Sequence, residues 1–148
     1  MSGLESLYQD LILDHAKRPL GKGLAAEEGA TATSHQRNPI CGDEITLRVR
    51  VDGDIVRDVT WEGAGCSISQ ASASMLVALI DEEDGMPRAE ASALIDGFRT
   101  ALRSRGQIPV DEERFGDAAA LSGVSKYTAR VKCAMLAWVA FEDALARA

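Results

Sequence analysis

Three cysteines stand in three separate short motifs, and an aspartate stands two residues beyond the first. The segments are Asn38-Pro39-Ile40-Cys41-Gly42-Asp43, Gly63-Ala64-Gly65-Cys66-Ser67-Ile68-Ser69 and Arg130-Val131-Lys132-Cys133. A thiolate is a soft ligand for zinc or iron and a strong nucleophile. Three thiolates and a carboxylate make a four-ligand shell of the kind Zn²⁺ prefers. The chemical question is whether Cys41, Asp43, Cys66 and Cys133 converge in space. The cysteines are 25 and 67 residues apart, unlike zinc fingers and ribbons, whose cysteines come in close pairs. Any convergence has to come from the tertiary fold.

Each setting has a chemical and a plain reading. Pro39 keeps Asn38 extended, and Gly42 permits a tight turn, so Cys41 and Asp43 can reach one point. An aspartate that only caps a turn leaves the same pattern. Cys66 follows Gly63 and Gly65, which permit close backbone approach, and stands where a helix begins. Unpaired N–H groups and the helix dipole favour a thiolate there, although a buried structural cysteine at the junction fits as well. Cys133 falls in the first two turns of the last helix, where a small apolar packing role also fits. Arg130, three positions earlier, shares its face; a cation there would stabilise a thiolate or pair with Asp43, or else be a solvated helix charge. His15 belongs to an apolar helix stripe and reads as a packed residue. His35 lies three residues before Asn38 and is a weaker ligand candidate than the four above. No glycine-rich phosphate loop, Ser/His/Asp arrangement or paired-carboxylate motif stands out.

The elements that must position these residues follow from periodicity. Leu4, Leu7, Tyr8, Leu11, Ile12 and His15 mark a helix over 4–17, with a Ser2/Glu5 capping box and Pro19, Gly21 and Gly23 as its stop. Residues 21–40 are rich in Gly, Ala, Thr and Ser and read as loop, with a strand within 29–36 left open. Ile45, Leu47, Val49 and Val51 alternate with polar residues in a half-buried strand. Asp52-Gly53 turns the chain into a partner strand from Ile55 to Trp61. A helix over 67–81 follows, capped by Ser67 with Gln70, with Ile68, Ala71, Met75 and Leu79 facing the core. Another spans 88–105, burying Ala91, Leu94, Ile95, Phe98 and Leu102, with Gly106 as its stop. Residues 106–124 read as a polar connection with a short segment at Ala118–Leu121. The last helix, over 126–146, is apolar on more than one side. The expected fold class is α+β: one domain over 1–148, a small antiparallel sheet with helices packed on one face.

A chain of 148 residues can bury a core without disulfides. The net charge of −7 argues against sequence-independent nucleic-acid binding. Glu5, Asp10 and Asp14 interrupt any signal-peptide core, and no apolar run is long enough for a membrane span. An odd cysteine count, with two cysteines in Gly-containing loops, argues for a reducing, cytoplasmic setting.

Asn-Pro-x-Cys-Gly-Asp, Gly-x-Gly-Cys-x-x-Ser-x-Ala-Ser and Arg-x-x-Cys together resemble the three motifs of the IscU/NifU-N iron–sulfur scaffold superfamily. The opening segment Leu7 to His15, with Pro19, also resembles its first helix. Isc-type scaffolds carry a histidine before the third cysteine, where this chain has Lys132. This chain also has a longer segment within roughly 84–110 and lacks the Leu-Pro-Pro-Val-Lys chaperone motif. These departures resemble the SufU branch, whose members bind zinc and accept sulfur from the cysteine desulfurase SufS. The resemblance implies Cys41, Asp43, Cys66 and Cys133 as zinc ligands, Cys41 as sulfur acceptor and Arg130 as the third-motif arginine. It also implies a SufS-type desulfurase as partner and a SufB-containing scaffold complex as a further one. The alternative is a scaffold that holds a transient Fe–S cluster. A stable cluster usually wants four thiolates, whereas this chain offers three and a hard carboxylate.

Overall fold

The computed structural model describes residues 3–27, 29–39, 42–82 and 84–148. Cys41 and the expected capping residue Ser2 lie outside them. In chain order the elements are helix α1 (Gly3–Lys17), strands β1 (Ala30–Arg37), β2 (Glu44–Asp52) and β3 (Ile55–Ala64) and helix α2 (Ser67–Glu82). Strand β4 (Met86–Pro87), helices α3 (Arg88–Arg103) and α4 (Glu112–Phe115), a 3-10 helix (Gly116–Lys126) and helix α5 (Thr128–Arg147) follow. The sheet is antiparallel throughout, in the order β1-β2-β3-β4.

The β2–β3 hairpin sets the sheet. Asp52 pairs with Ile55, so the turn residues are Gly53 and Asp54, with Gly53 at φ +61°. Val56 and Val59 are three apart, yet both are buried. A bulge reconciles them: Val51 faces Val56 and Arg50 faces Asp58, leaving Arg57 as the extra residue. Ile45, Leu47, Val49, Val51, Val56, Val59 and Trp61 then form one apolar face under the helices. The strand left open within 29–36 is present as β1, so the loop expected across 21–40 is shorter. Its sequence, Ala-Thr-Ala-Thr-Ser-His-Gln-Arg, has little apolar alternation because only Ser34 in it is buried. Pairing with β2 along its whole length holds it instead.

The long segment within 84–110 adds a packed unit. Helix α3 buries all five of its expected core residues and lies on α5. Phe98 stacks on Trp138 with ring centroids 4.1 Å apart, and Arg99 reaches Glu142 at 2.6 and 3.1 Å. That hydrogen-bonded carboxylate holds the Arg99 pKa above its ordinary value. The connection expected to be polar also contributes to the core. Phe115, Ala118, Ala119, Ala120, Leu121 and Val124 are buried, and Phe115 joins the Phe98–Trp138 cluster. Alanines in a tight 3-10 turn fit there because they need little space.

Helix α2 is the hub, fastened by serines that no apolar pattern would reveal. Ser72 donates to the Ala134 carbonyl at 2.6 Å and accepts from the Trp138 indole N–H at 3.0 Å. Ser74 lies 2.7 Å from His15 Nδ1 and accepts from the Leu20 N–H at 2.9 Å; His15 Nε2 reaches Asp117 at 2.9 Å. Among the described residues, every buried side-chain nitrogen or oxygen has a partner. Ser72→Ala should therefore strand the Trp138 N–H in the core and cost about 1–3 kcal/mol of stability. Urea unfolding reads this directly; a midpoint equal to the unmodified protein's would remove Ser72 as a tie between α2 and α5.

Candidate metal centre

Strand β3 ends against α2 through a glycine turn that leaves no room for side chains. A Cβ on Gly63 would sit 2.4 Å from the Glu44 carbonyl oxygen. One on Gly65 would sit 2.5 Å from Ser69 Oγ and 2.9 Å from Asp43 Cγ. The β2 end therefore lies directly against the start of α2, and Asp43 is buried there. On its other side Asn38 donates its backbone N–H to the Asp43 carbonyl, and Gly42, at φ +76°, donates to the Asn38 carbonyl, both at 2.8 Å. These bonds close the short loop between β1 and β2.

Asp43, Cys66 and Cys133 offer ligand atoms that all lie within 4.8 Å of one another. Cys66 is exposed, while Asp43 and Cys133 are buried. Cys66 Sγ is 3.5 Å from Asp43 Oδ2, and the Cys66 backbone N–H donates to Oδ1 at 3.3 Å. A tetrahedral zinc with ordinary bond lengths would put a sulfur and an oxygen ligand about 3.6 Å apart. The donor set therefore fits zinc in chemistry and in spacing. The carboxylate also sits at the α2 N-terminus, where a negative charge is favoured.

The capping box expected from Ser67 and Gln70 does not form. Cys66 takes the cap position, its carbonyl accepting the Gln70 N–H at 3.1 Å, and the Gln70 side chain donates to the Gly65 carbonyl. Arg130 shares the expected side of α5, but it lies over the Tyr127 ring at 5.2 Å and makes no ion pair with Asp43. His15 is spent on Ser74 and Asp117, and exposed His35 meets Glu44 at 3.2 Å; neither belongs to the cluster. Lys132, beside Cys133, is exposed.

Sequence periodicity also missed a groove of about 530 Å³ between α1, the start of α2 and the 3-10 helix. Tyr8, Ile12, Ile68, Lys126, Tyr127 and Arg130 are among its lining residues. Ile68, expected in the core, is only half-buried, and Leu7 is 54% exposed. Helix α1 is fastened at its C-terminal end through His15; its half-buried Tyr8, Leu11 and Ile12 pack against the core, and Tyr8 and Ile12 also line the groove.

The NifU-like N-terminal domain family matches residues 7–134. The chain belongs to that family. It is 40% identical over 146 residues to the zinc-dependent sulfurtransferase SufU of Bacillus subtilis, covering 99% of this chain and 94% of the relative. It is 39% identical over 147 residues to the iron–sulfur cluster assembly scaffold protein IscU of Streptococcus pyogenes serotype M1, covering 99% and 87%. A solved structure from Fervidobacterium islandicum AW-1, described as a SUF-system iron–sulfur cluster assembly scaffold, superposes with a TM-score of 0.76. Its identity is 32%, over 97% of this chain and 99% of that one. The antiparallel sheet with helices on one face is thus the family's fold, and iron–sulfur cluster assembly is the context its relatives share.

Proposed function

We propose that this protein is a zinc-dependent sulfur-transfer protein that accepts persulfide sulfur from a SufS-type cysteine desulfurase for iron–sulfur cluster assembly. The observation that carries this reading is the meeting of Asp43, Cys66 and Cys133 around one point. The likeness to a zinc-dependent sulfurtransferase over nearly the whole chain supports it. One contiguous hydrophobic core joins sheet and helices, which supports treating residues 1–148 as one functional domain. Thiolate chemistry works in a reducing compartment, which supports a cytoplasmic setting. Among the described residues no helix is long and apolar enough to cross a membrane.

Cys41, Asp43, Cys66 and Cys133 are the proposed ligands. Cys41 is two residues from Asp43, and two residues of chain span at most about 7 Å, so it is within reach of the cluster. Bound zinc would keep the thiols deprotonated and guard them from disulfide formation. The Cys41 thiolate attacks the outer sulfur of the desulfurase persulfide. A new S–S bond forms on Cys41, the old one breaks, and the desulfurase cysteine leaves as a thiolate. Cys66 and Cys133, at the starts of two packed helices, keep their places. A SufB-containing scaffold complex is the proposed recipient.

A labile cluster scaffold is the second reading, favoured by the scaffold relatives. Metal analysis of aerobically purified protein, run beside a desulfurase-stimulation assay, separates the two. The expected result is one zinc per chain, no visible-light cluster absorption and a stimulated desulfurase. X-ray absorption should find three sulfurs and one oxygen around zinc. Four sulfurs, or a histidine nitrogen, would overturn the ligand assignment.

A further inference from the structure

The Asp43 carboxylate is fixed by donors at both oxygens. Cys66 N–H holds Oδ1 at 3.3 Å, and the Ser69 hydroxyl lies 3.0 Å from Oδ2, the same oxygen that faces Cys66 Sγ. Ser69 Oγ has two other groups in reach, the Cys66 carbonyl at 3.1 Å and, more distant, the Cys66 sulfur at 3.7 Å. That carbonyl already receives the Gln70 N–H of the helix. An anionic carboxylate is also the stronger acceptor, so the hydroxyl proton belongs to Asp43. Ser69 itself is buried, one turn along α2 from Cys66.

We propose that Ser69 is a positioning residue that locks the Asp43 carboxylate to helix α2 and thereby sets the affinity of the site for zinc. The inference rests on the zinc reading above and adds a residue that is not itself a ligand. A carboxylate oxygen has lone pairs for both a metal and a hydroxyl donor. With the hydroxyl in place, the carboxylate does not have to be ordered when metal binds, and the ordering cost is met by the fold. The tie also runs to the helix that carries Cys66, not to the segment that carries Cys41. Asp43 and Cys66 thus form one rigid pair while Cys41 does the exchange. Gly65 belongs to the same device: any side chain there would push into both the hydroxyl and the carboxylate.

The test is competition for zinc against a chromophoric chelator, using the full-length protein and Ser69→Ala, Ser69→Thr and Gly65→Ala. Ser69→Ala should bind zinc about 10–100-fold more weakly, as loss of a partner to a metal ligand typically does. Ser69→Thr, which keeps the hydroxyl, should recover most of that loss. Gly65→Ala should weaken binding although Ser69 is present. Thermal unfolding of each metal-free variant is measured alongside. An affinity for Ser69→Ala within about twofold of the unmodified protein would overturn the inference. So would a loss that tracks reduced metal-free stability and that Ser69→Thr fails to restore. An unmodified protein that binds no zinc would instead defeat the zinc reading itself.

Discussion

Asp43→Ala should abolish stimulation of the desulfurase and weaken zinc binding by at least about 100-fold, more than losing an outer partner of a ligand costs. The carboxylate is buried, faces Cys66 Sγ at 3.5 Å and is the only oxygen donor in the cluster formed by the described residues. Its removal also strands the Cys66 N–H and leaves the Ser69 hydroxyl only the Cys66 carbonyl to donate to, so the metal-free fold should lose about 1–3 kcal/mol as well. Chelator competition and desulfurase kinetics read the first two effects, and thermal unfolding reads the third. In a cluster scaffold the same substitution should slow cluster release. A stable, coloured Asp43→Ala protein with normal cluster-building activity would decide for the scaffold.

Cys41→Ser should remove sulfur acceptance altogether. A serine hydroxyl cannot form the S–S bond on which persulfide exchange depends. Desulfurase stimulation should vanish with it, while circular dichroism and the unfolding midpoint stay close to those of the unmodified protein. Asn38, Gly42 and Asp43 are joined to one another by backbone bonds, and Cys66 and Cys133 are set by α2 and α5. Persistent stimulation by Cys41→Ser would move the acceptor role to another thiol.

Much of the scaffold of this site is legible in the sequence because it rests on periodicity. The β2–β3 alternation and the apolar faces of α2, α3 and α5 emerge from spacing alone, and those elements carry Asp43, Cys66 and Cys133. The Arg57 bulge leaves a trace, the three-residue step from Val56 to Val59, which simple alternation passes over. Strand β1 is held by backbone pairing, so its side chains announce little. The 3-10 helix is buried through alanines, which carry weak periodic signal. The serines of α2 are silent for another reason. Hydroxyls are common on solvated helix faces, and only the fold turns Ser69, Ser72 and Ser74 toward Asp43, Trp138 and His15. Arg130 marks the opposite limit: its spacing from Cys133 fits a thiolate-stabilising cation, a partner for Asp43 or a solvated helix charge, and the structure places it, exposed, over the Tyr127 ring.

The most direct measurement is mass spectrometry of the protein after single-turnover mixing with a SufS-type desulfurase and cysteine. Transfer of one sulfur adds about 32 Da. The expected result is that adduct on the peptide containing Cys41, absent from Cys41→Ser and removed by reductant. An adduct carried mainly by the Cys66 or Cys133 peptide, or none at all while the desulfurase is stimulated, would contradict sulfur transfer through Cys41.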